Sequence, residues 1–339
     1  MNDWGMSVLS CYPLTVRGTR KVRGALLCDT AEGSFLLQEY HGSEKRLWRE
    51  AQILNFLREK GGYLVDSVME DREGKLLNRN DEGTGYIMKR WYLFPECSVG
   101  NRNDICQAIR FLAKLHLLMR QLPEFLEPSS ASEASSDRSR PSNRDTSLLS
   151  LYEKHTRELH RVRAYLHRKK KKSELEEHIM KSFSTMYGQA ESAMANLKQS
   201  PCLELTANAE KKGWVCHGSY HQHNVLIGSG QIAAVNFEHY GTGLQLTDLY
   251  QFMRKVLEKH NWNQELGRMM LEEYQRILPL EPGEKAVLYA MFEYPEKYWK
   301  QINFYFNGNK AWTAEKNVEK LKIAVSQAKA RERFLQIIR

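Results

Sequence analysis

The stretch Trp214-Val215-Cys216-His217-Gly218-Ser219-Tyr220-His221-Gln222-His223-Asn224-Val225-Leu226-Ile227 decides the fold. Two apolar runs flank a His-Gly turn, further histidines and Asn224. Gly228-Ser229-Gly230 then makes a turn, and Gln231 to Phe237 (QIAAVNF) reads as a returning strand. Two short strands with polar residues gathered at their mouths can present side chains in a cleft.

Upstream of this stretch, residues 11–100 are strand-rich. Arg23 to Thr30, a Glu32-Gly33 turn and Ser34 to Tyr40 predict a hairpin. Glu44 to Lys60 predicts a helix, because Leu47, Ala51, Leu54 and Leu57 recur every three to four residues. Further strands are expected around 63–68, 75–77 and 85–91, and the turn-rich Tyr92–Arg102 is expected as a hinge. A helix follows from Asp104, its expected N-cap, to about Arg120. Residues 127–147 are rich in Ser, Pro and Arg and poor in apolar side chains, so they are expected to form a disordered insert. Residues 148–197 read as two helices around a basic run, and Asp248 opens a largely helical tail. The tail's aromatic residues, Tyr294, Tyr298, Trp299 and Tyr305 among them, are expected to pack a core.

The chain has 339 residues, 42% hydrophobic and 27% charged, a soluble globular composition. No run is long and apolar enough to span a bilayer, and no secretory h-region opens the sequence, so synthesis in the cytoplasm is expected. The six cysteines form no C-x-x-C pair and read as reduced packing residues. Net charge is +9, much of it in Arg161, Arg163, Arg168 and Lys169–Lys172. Without interleaved aromatics or a nucleic-acid motif, that run reads as a solvated helix end, and no nucleic-acid partner is expected.

The loop His217-Gly218-Ser219-Tyr220-His221-Gln222-His223-Asn224 and the later Val235-Asn236-Phe237-Glu238 resemble the catalytic loop (H-G-D-x-x-x-x-N) and metal-binding strand end (I-D-F/W-E) of kinase-like phosphotransferases of the aminoglycoside and choline kinase type. Within that superfamily the sequence is most similar to CotS-type spore coat proteins. The similarity runs through Phe111-Leu112-Ala113-Lys114-Leu115-His116, the basic run at 168–172, Gln222-His223-Asn224 and Asp248-Leu249 to Tyr294-Pro295, Trp299 and Asn303. The resemblance implies an α+β, bilobal protein-kinase-like fold. A small mixed N-lobe would span 1–92, and a larger, mostly helical C-lobe 93–339. It also implies spore coat association, other coat proteins as partners, and a nucleotide or sugar-like ligand.

Carried over position by position, the resemblance implies a degenerate site. The strand lysine that steadies phosphates is matched by Gln38, with Glu50 as its helix glutamate. Ser219 stands where the catalytic Asp would act, and a serine hydroxyl is no general base near neutral pH. His217 braces the loop. Asn224 matches the second metal position, while Asn236 replaces the chief metal-binding Asp. Glu238 remains as a carboxylate that could help hold Mg²⁺. The phosphate loop, Arg17 to Gly24, has two glycines and several cations. The expectation is a pseudokinase acting as a binding or structural module. The alternative is an active ATP- and Mg²⁺-dependent small-molecule phosphotransferase with an atypical site. A third reading takes His217, His221, His223 and His239 as a zinc or nickel site, with His221 and His223 facing the cleft.

Overall fold

The computed structural model describes residues 4–22, 24–123, 147–228, 230–308 and 315–338. Two compact units form: residues 1–131 with 213–248, and residues 132–212 with 249–339. The insert expected over 127–147 lies, except for Ser147, outside the described residues.

In the first unit a short turn of 3-10 helix, Met6–Cys11, precedes β1 (Val16–Val22), β2 (Ala25–Thr30) and β3 (Gly33–Glu39). Then come α1 (Glu44–Gly61), β4 (Leu64–Val65), β5 (Val68–Met69), β6 (Asn78–Arg79), β7 (Gly85–Trp91) and α2 (Arg102–Met119). The main sheet has the order β1-β2-β3-β7-β5, with β6 beside β7. Alternation along its strands divides the apolar residues between the two faces. Leu26, Cys28, Phe35, Leu37, Tyr86 and Met88 pack with Val8 and Tyr12 on one face. Ala25, Leu27 and Leu36 pack with Val22 and Trp91 on the other.

Ser43 caps α1, its hydroxyl accepting the N–H of Arg46, and Gly62 ends the helix in a left-handed conformation. Asn101, not Asp104, caps α2; the Asp104 carboxylate instead accepts the N–H of Ser98. Both residues are good caps, and the turn at 98–101 places Asn101 at the helix start. The strand expected at 75–77 also moves, to Asn78–Arg79.

Helices α3 (Leu148–Arg168), α4 (Glu174–Gln199) and α5 (Cys202–Lys211) belong to the second unit. The basic run breaks α3 from α4. Lys169 binds Glu176 at 2.7 Å, and Ser173 with Glu176 forms a capping box. After β8 (Val215–Cys216) come β9 (Val225–Gly228), β10 (Gln231–Ala234) and β11 (Gly241–Thr242) of the first unit, then α6 (Leu246–Lys259). The second unit closes with α7 (Gln264–Gln275), α8 (Pro282–Glu293), α9 (Glu296–Asn307), α10 (Glu315–Ser326) and α11 (Ala328–Leu335). Its aromatics pack as expected: Tyr152 stacks on Tyr294 at 4.1 Å and His155 on Trp299 at 3.3 Å. No described helix is long and apolar enough to cross a membrane.

Candidate active site

A second small sheet, β4-β10-β9, builds the site. The antiparallel pair β9–β10 is the hairpin read from the sequence, and β4 adds to it in parallel, Leu64 beside Ala233 and Val65 beside Ala234. The linker after β7 is tied to the same hairpin: the N–H of Ile227 bonds Pro95 O and the N–H of Cys97 bonds Val225 O, each at 2.8 Å. These pairings enclose a cavity of about 890 Å³ within the first unit. Ala25, Leu27, Leu36 and Leu226 form its apolar wall, with Trp91, Tyr92 and Phe94 at its side. Gln38, Ser219, His223, Asn224, Asn236 and Glu238 line its polar end.

The loop at 217–224 is held from behind. His217 is fully buried; its Nε2–H donates to Val235 O at 3.1 Å, and its Nδ1 accepts the N–H of Ser219 at 3.2 Å. Burial pushes its pKa down to about 4, against the pull of Asp248, so the ring is neutral at pH 7. Asp248, also buried, accepts the N–H of His217 at 2.7 Å, the N–H of Gly218 at 2.9 Å and His116 Nε2 at 3.3 Å. Burial alone would raise this carboxyl, but the hydrogen bond and charge of His116 and the contacts with His217 bring it below the usual range. Gly218 has φ +77°, and a Cβ there would sit 1.9 Å from His239 O, so only glycine fits this turn.

Three residues of the cavity lining, Ser219 and Asn224 of the loop and Asn236 after β10, bond to one another. Asn236 Nδ2 donates to Asn224 Oδ1 at 2.8 Å. Asn224 Nδ2 donates to Ser219 O at 2.8 Å and to Ser219 Oγ at 3.3 Å. Asn236 has φ +65°, a left-handed conformation that Asn tolerates, and its N–H donates to Asp66 Oδ2 at 2.8 Å. The result is a neutral, internally bonded amide and hydroxyl chain. It does not suit Mg²⁺: Asn224 Oδ1 is already engaged by Asn236, Asp66 is taken up by Lys89 and the Asn236 N–H, Glu96 bonds His223, and Glu238 is exposed. Among the described residues no group of three or more His, Cys, Asp or Glu side chains could hold a metal. The zinc or nickel reading is thereby corrected. His217 is spent on Val235, and His223 Nδ1 bonds the Glu96 carboxylate. His223 lines the cavity, but His221 does not.

Glu50 also departs from expectation. It does not meet Gln38, which lines the cavity from β3. Glu50 is buried on α1 and accepts a hydrogen bond from Lys89 Nζ at 2.7 Å. Lys89 comes from β7, opposite Leu36 of β3, and reaches Asp66 Oδ2 at 3.3 Å as well. All three side chains are almost wholly buried, and none lines the cavity. A lysine–glutamate pair is therefore present, with its lysine on the neighbouring strand β7 and buried outside the cavity lining.

One cation faces two carboxylates in this cluster. Burial, with Glu50 adding to it and Lys89 opposing it, raises Asp66 from 3.8 to about 6. Between those values the folded protein retains a proton that the unfolded chain has lost, so this contribution to stability declines as pH rises. His217 and His116, which burial holds below the ordinary imidazole value, act in the opposite sense, which makes the comparison with Asp66→Asn the useful one. In urea unfolding, the stability of wild type relative to Asp66→Asn is expected to fall from about pH 4 to pH 6. A difference that stays flat with pH would place the titration elsewhere.

Lys89, Asp66 and Asp248 are the functional residues that sequence reading missed. The signals available were a lysine and an aspartate inside apolar strand segments, each of which needs a buried partner.

A family model described as "Spore coat putative kinase YutH" matches residues 6–338. The chain belongs to that family. No curated protein matches it in sequence. In fold it is similar to an aminoglycoside phosphotransferase from Alicyclobacillus acidocaldarius, with a TM-score of 0.84 at 15% identity over 98% of this chain and 94% of that one. It is also similar to a spectinomycin phosphotransferase solved with ADP and spectinomycin (TM-score 0.64, 13% identity, 96% of each chain). A microcompartment-associated aminopropanol kinase aligns at TM-score 0.58 and 14% identity, over 97% of this chain and 96% of that one. The fold is kinase-like, and the similarity to CotS-type coat proteins holds at the level of the family.

Proposed function

We propose that this member of the family is a pseudokinase: its cleft is kept as a binding site and phosphoryl transfer has been lost. The observation that carries this reading is the Asn236–Asn224–Ser219 chain in the cavity lining. Transfer needs a base or orienting acid for the acceptor and divalent charge on the phosphates. Neutral amides and a hydroxyl supply neither. The phosphate-lysine position on β3 holds the neutral Gln38, and Lys89 is buried against Glu50 and Asp66. On this reading the protein acts in the spore coat as a binding or structural module, with other coat proteins as partners. Its place there rests on the family to which it belongs.

The test is transfer from ATP in Mg²⁺ to a panel of hydroxylated and amine acceptors. Wild type is expected at background. The triple variant Gln38→Lys, Ser219→Asp, Asn236→Asp restores the missing charges and is expected to raise ATP turnover at least about tenfold over wild type. Wild-type turnover that Asn236→Ala abolishes would show an active enzyme and sink this reading.

A further inference from the structure

The cleft of a kinase-like protein ordinarily takes a polyphosphate neutralised by a lysine and by Mg²⁺. Here the two parts of the cavity lining disagree. The apolar part is built for a planar, weakly polar group. Ala25, Leu27, Leu36 and Leu226 give it apolar surface, and Trp91 with the stacked pair Tyr92–Phe94 (centroids 5.9 Å apart) gives it aromatic surface. A nucleobase against such a surface gains about 1–3 kcal/mol from aromatic stacking.

The polar part has lost its charges of both signs. Asn236 and Asn224 satisfy each other where a metal would need free oxygen. Gln38 is neutral, and Lys89 is turned into the protein. What remains is one guanidinium, Arg20 on β1, without an ion-pair partner among the described residues, and two carboxylates, Glu238 and the His223-bonded Glu96. A unit charge about 4 Å from a like charge costs about 4 kcal/mol at an effective dielectric of 20. One guanidinium beside two carboxylates therefore cannot hold a triphosphate, and the amides cannot recruit the metal that would.

We propose that the cavity is a metal-free site for a nucleoside-like ligand carrying at most one phosphate, which Arg20 would meet. This rests on the pseudokinase reading and specifies its ligand.

Isothermal titration and thermal shift on the full chain would test it. Adenosine, guanosine, cytidine and uridine are each titrated, followed by the mono-, di- and triphosphates of every base, in EDTA and in Mg²⁺. At least one nucleoside is expected to bind. Its triphosphate should bind no tighter than the nucleoside, and Mg²⁺ should change no affinity by more than about twofold. Arg20→Ala is expected to bring the monophosphate down to the affinity of the nucleoside and to leave the nucleoside unchanged. Asn236→Asp should make triphosphate binding respond to Mg²⁺. A triphosphate that binds wild type more than about tenfold tighter than the nucleoside, or only in Mg²⁺, overturns the proposal and leaves the loss of transfer intact. Failure of every nucleoside and nucleotide to bind overturns it as well, again without bearing on the transfer assay. Phosphoryl transfer by wild type would defeat the pseudokinase reading itself.

Discussion

Lys89→Met is expected to destabilise the fold by about 3–5 kcal/mol, the cost of removing one partner from a buried ion pair. The replacement is apolar and of similar length, so the loss is electrostatic. It strands Glu50 and Asp66, both almost wholly out of water, with no cation between them. Two of their oxygens, Glu50 Oε2 and Asp66 Oδ1, already lack a hydrogen-bond partner, and beyond the lysine only the Asn236 N–H to Asp66 Oδ2 would remain. Burial alone would depress the lysine; the charges of Asp66 and Glu50 and the hydrogen bond to Glu50 raise it above its ordinary range. The ammonium thus stays charged across the working pH range. Equilibrium urea unfolding measures the cost. Combining Lys89→Met with Glu50→Gln and Asp66→Asn should recover most of it, since a neutral cluster has no stranded charge. A single variant as stable as wild type, or a triple variant no better than the single, would contradict this account.

The other large effect is expected at Asp248. Its carboxylate gathers two main-chain N–H groups of the loop turn and the His116 ring. Asp248→Ala takes the shared acceptor away from all three, and a buried group left unsatisfied costs about 1–3 kcal/mol, though not additively. A loss of about 3–4 kcal/mol is expected. Asp248→Asn keeps one acceptor oxygen and should lose less. Unfolding gives the magnitude, and the amide resonances of His217 and Gly218 report the anchor directly: both should move upfield in Asp248→Ala. A loss below about 1 kcal/mol with those amides unmoved would mean that the turn is held by other groups.

Much of this architecture is legible in the sequence because its signals are local. The β2–β3 hairpin follows from two apolar runs around Glu32-Gly33, and α1 from the spacing of Leu47, Ala51, Leu54 and Leu57. The β9–β10 hairpin follows from the turn at 228–230. The positions of Ser219, Asn224 and Asn236 follow from motif spacing, and all three line the cavity. The illegible part depends on contacts between segments far apart in the chain. Glu50 could be placed on its helix, but its partner comes from β7, which pairs with β3 in a register the sequence does not announce. Motif matching looks for a lysine on β3 and finds Gln38. It has no means to look across the sheet. Asp248 was visible as the start of a helix, while its bonds to the turn at 217–218 depend on how α6 leaves β11. The four histidines illustrate the converse: close in sequence, they do not gather into one site, because His217 is committed to Val235 and His223 to Glu96.

The parallel pairing of β4 with β10 bears on the order in which the protein can be completed. The strand at Leu64–Val65 emerges from the ribosome long before Ala233 and Ala234, and helices α2 to α5 are synthesised between them. Until then the edge of β4 has no neighbour, and Asp66 lacks the N–H of Asn236 that it accepts in the finished fold. Nascent chains therefore carry an open strand edge beside a half-assembled charge cluster for most of translation, the interval in which such edges pair wrongly.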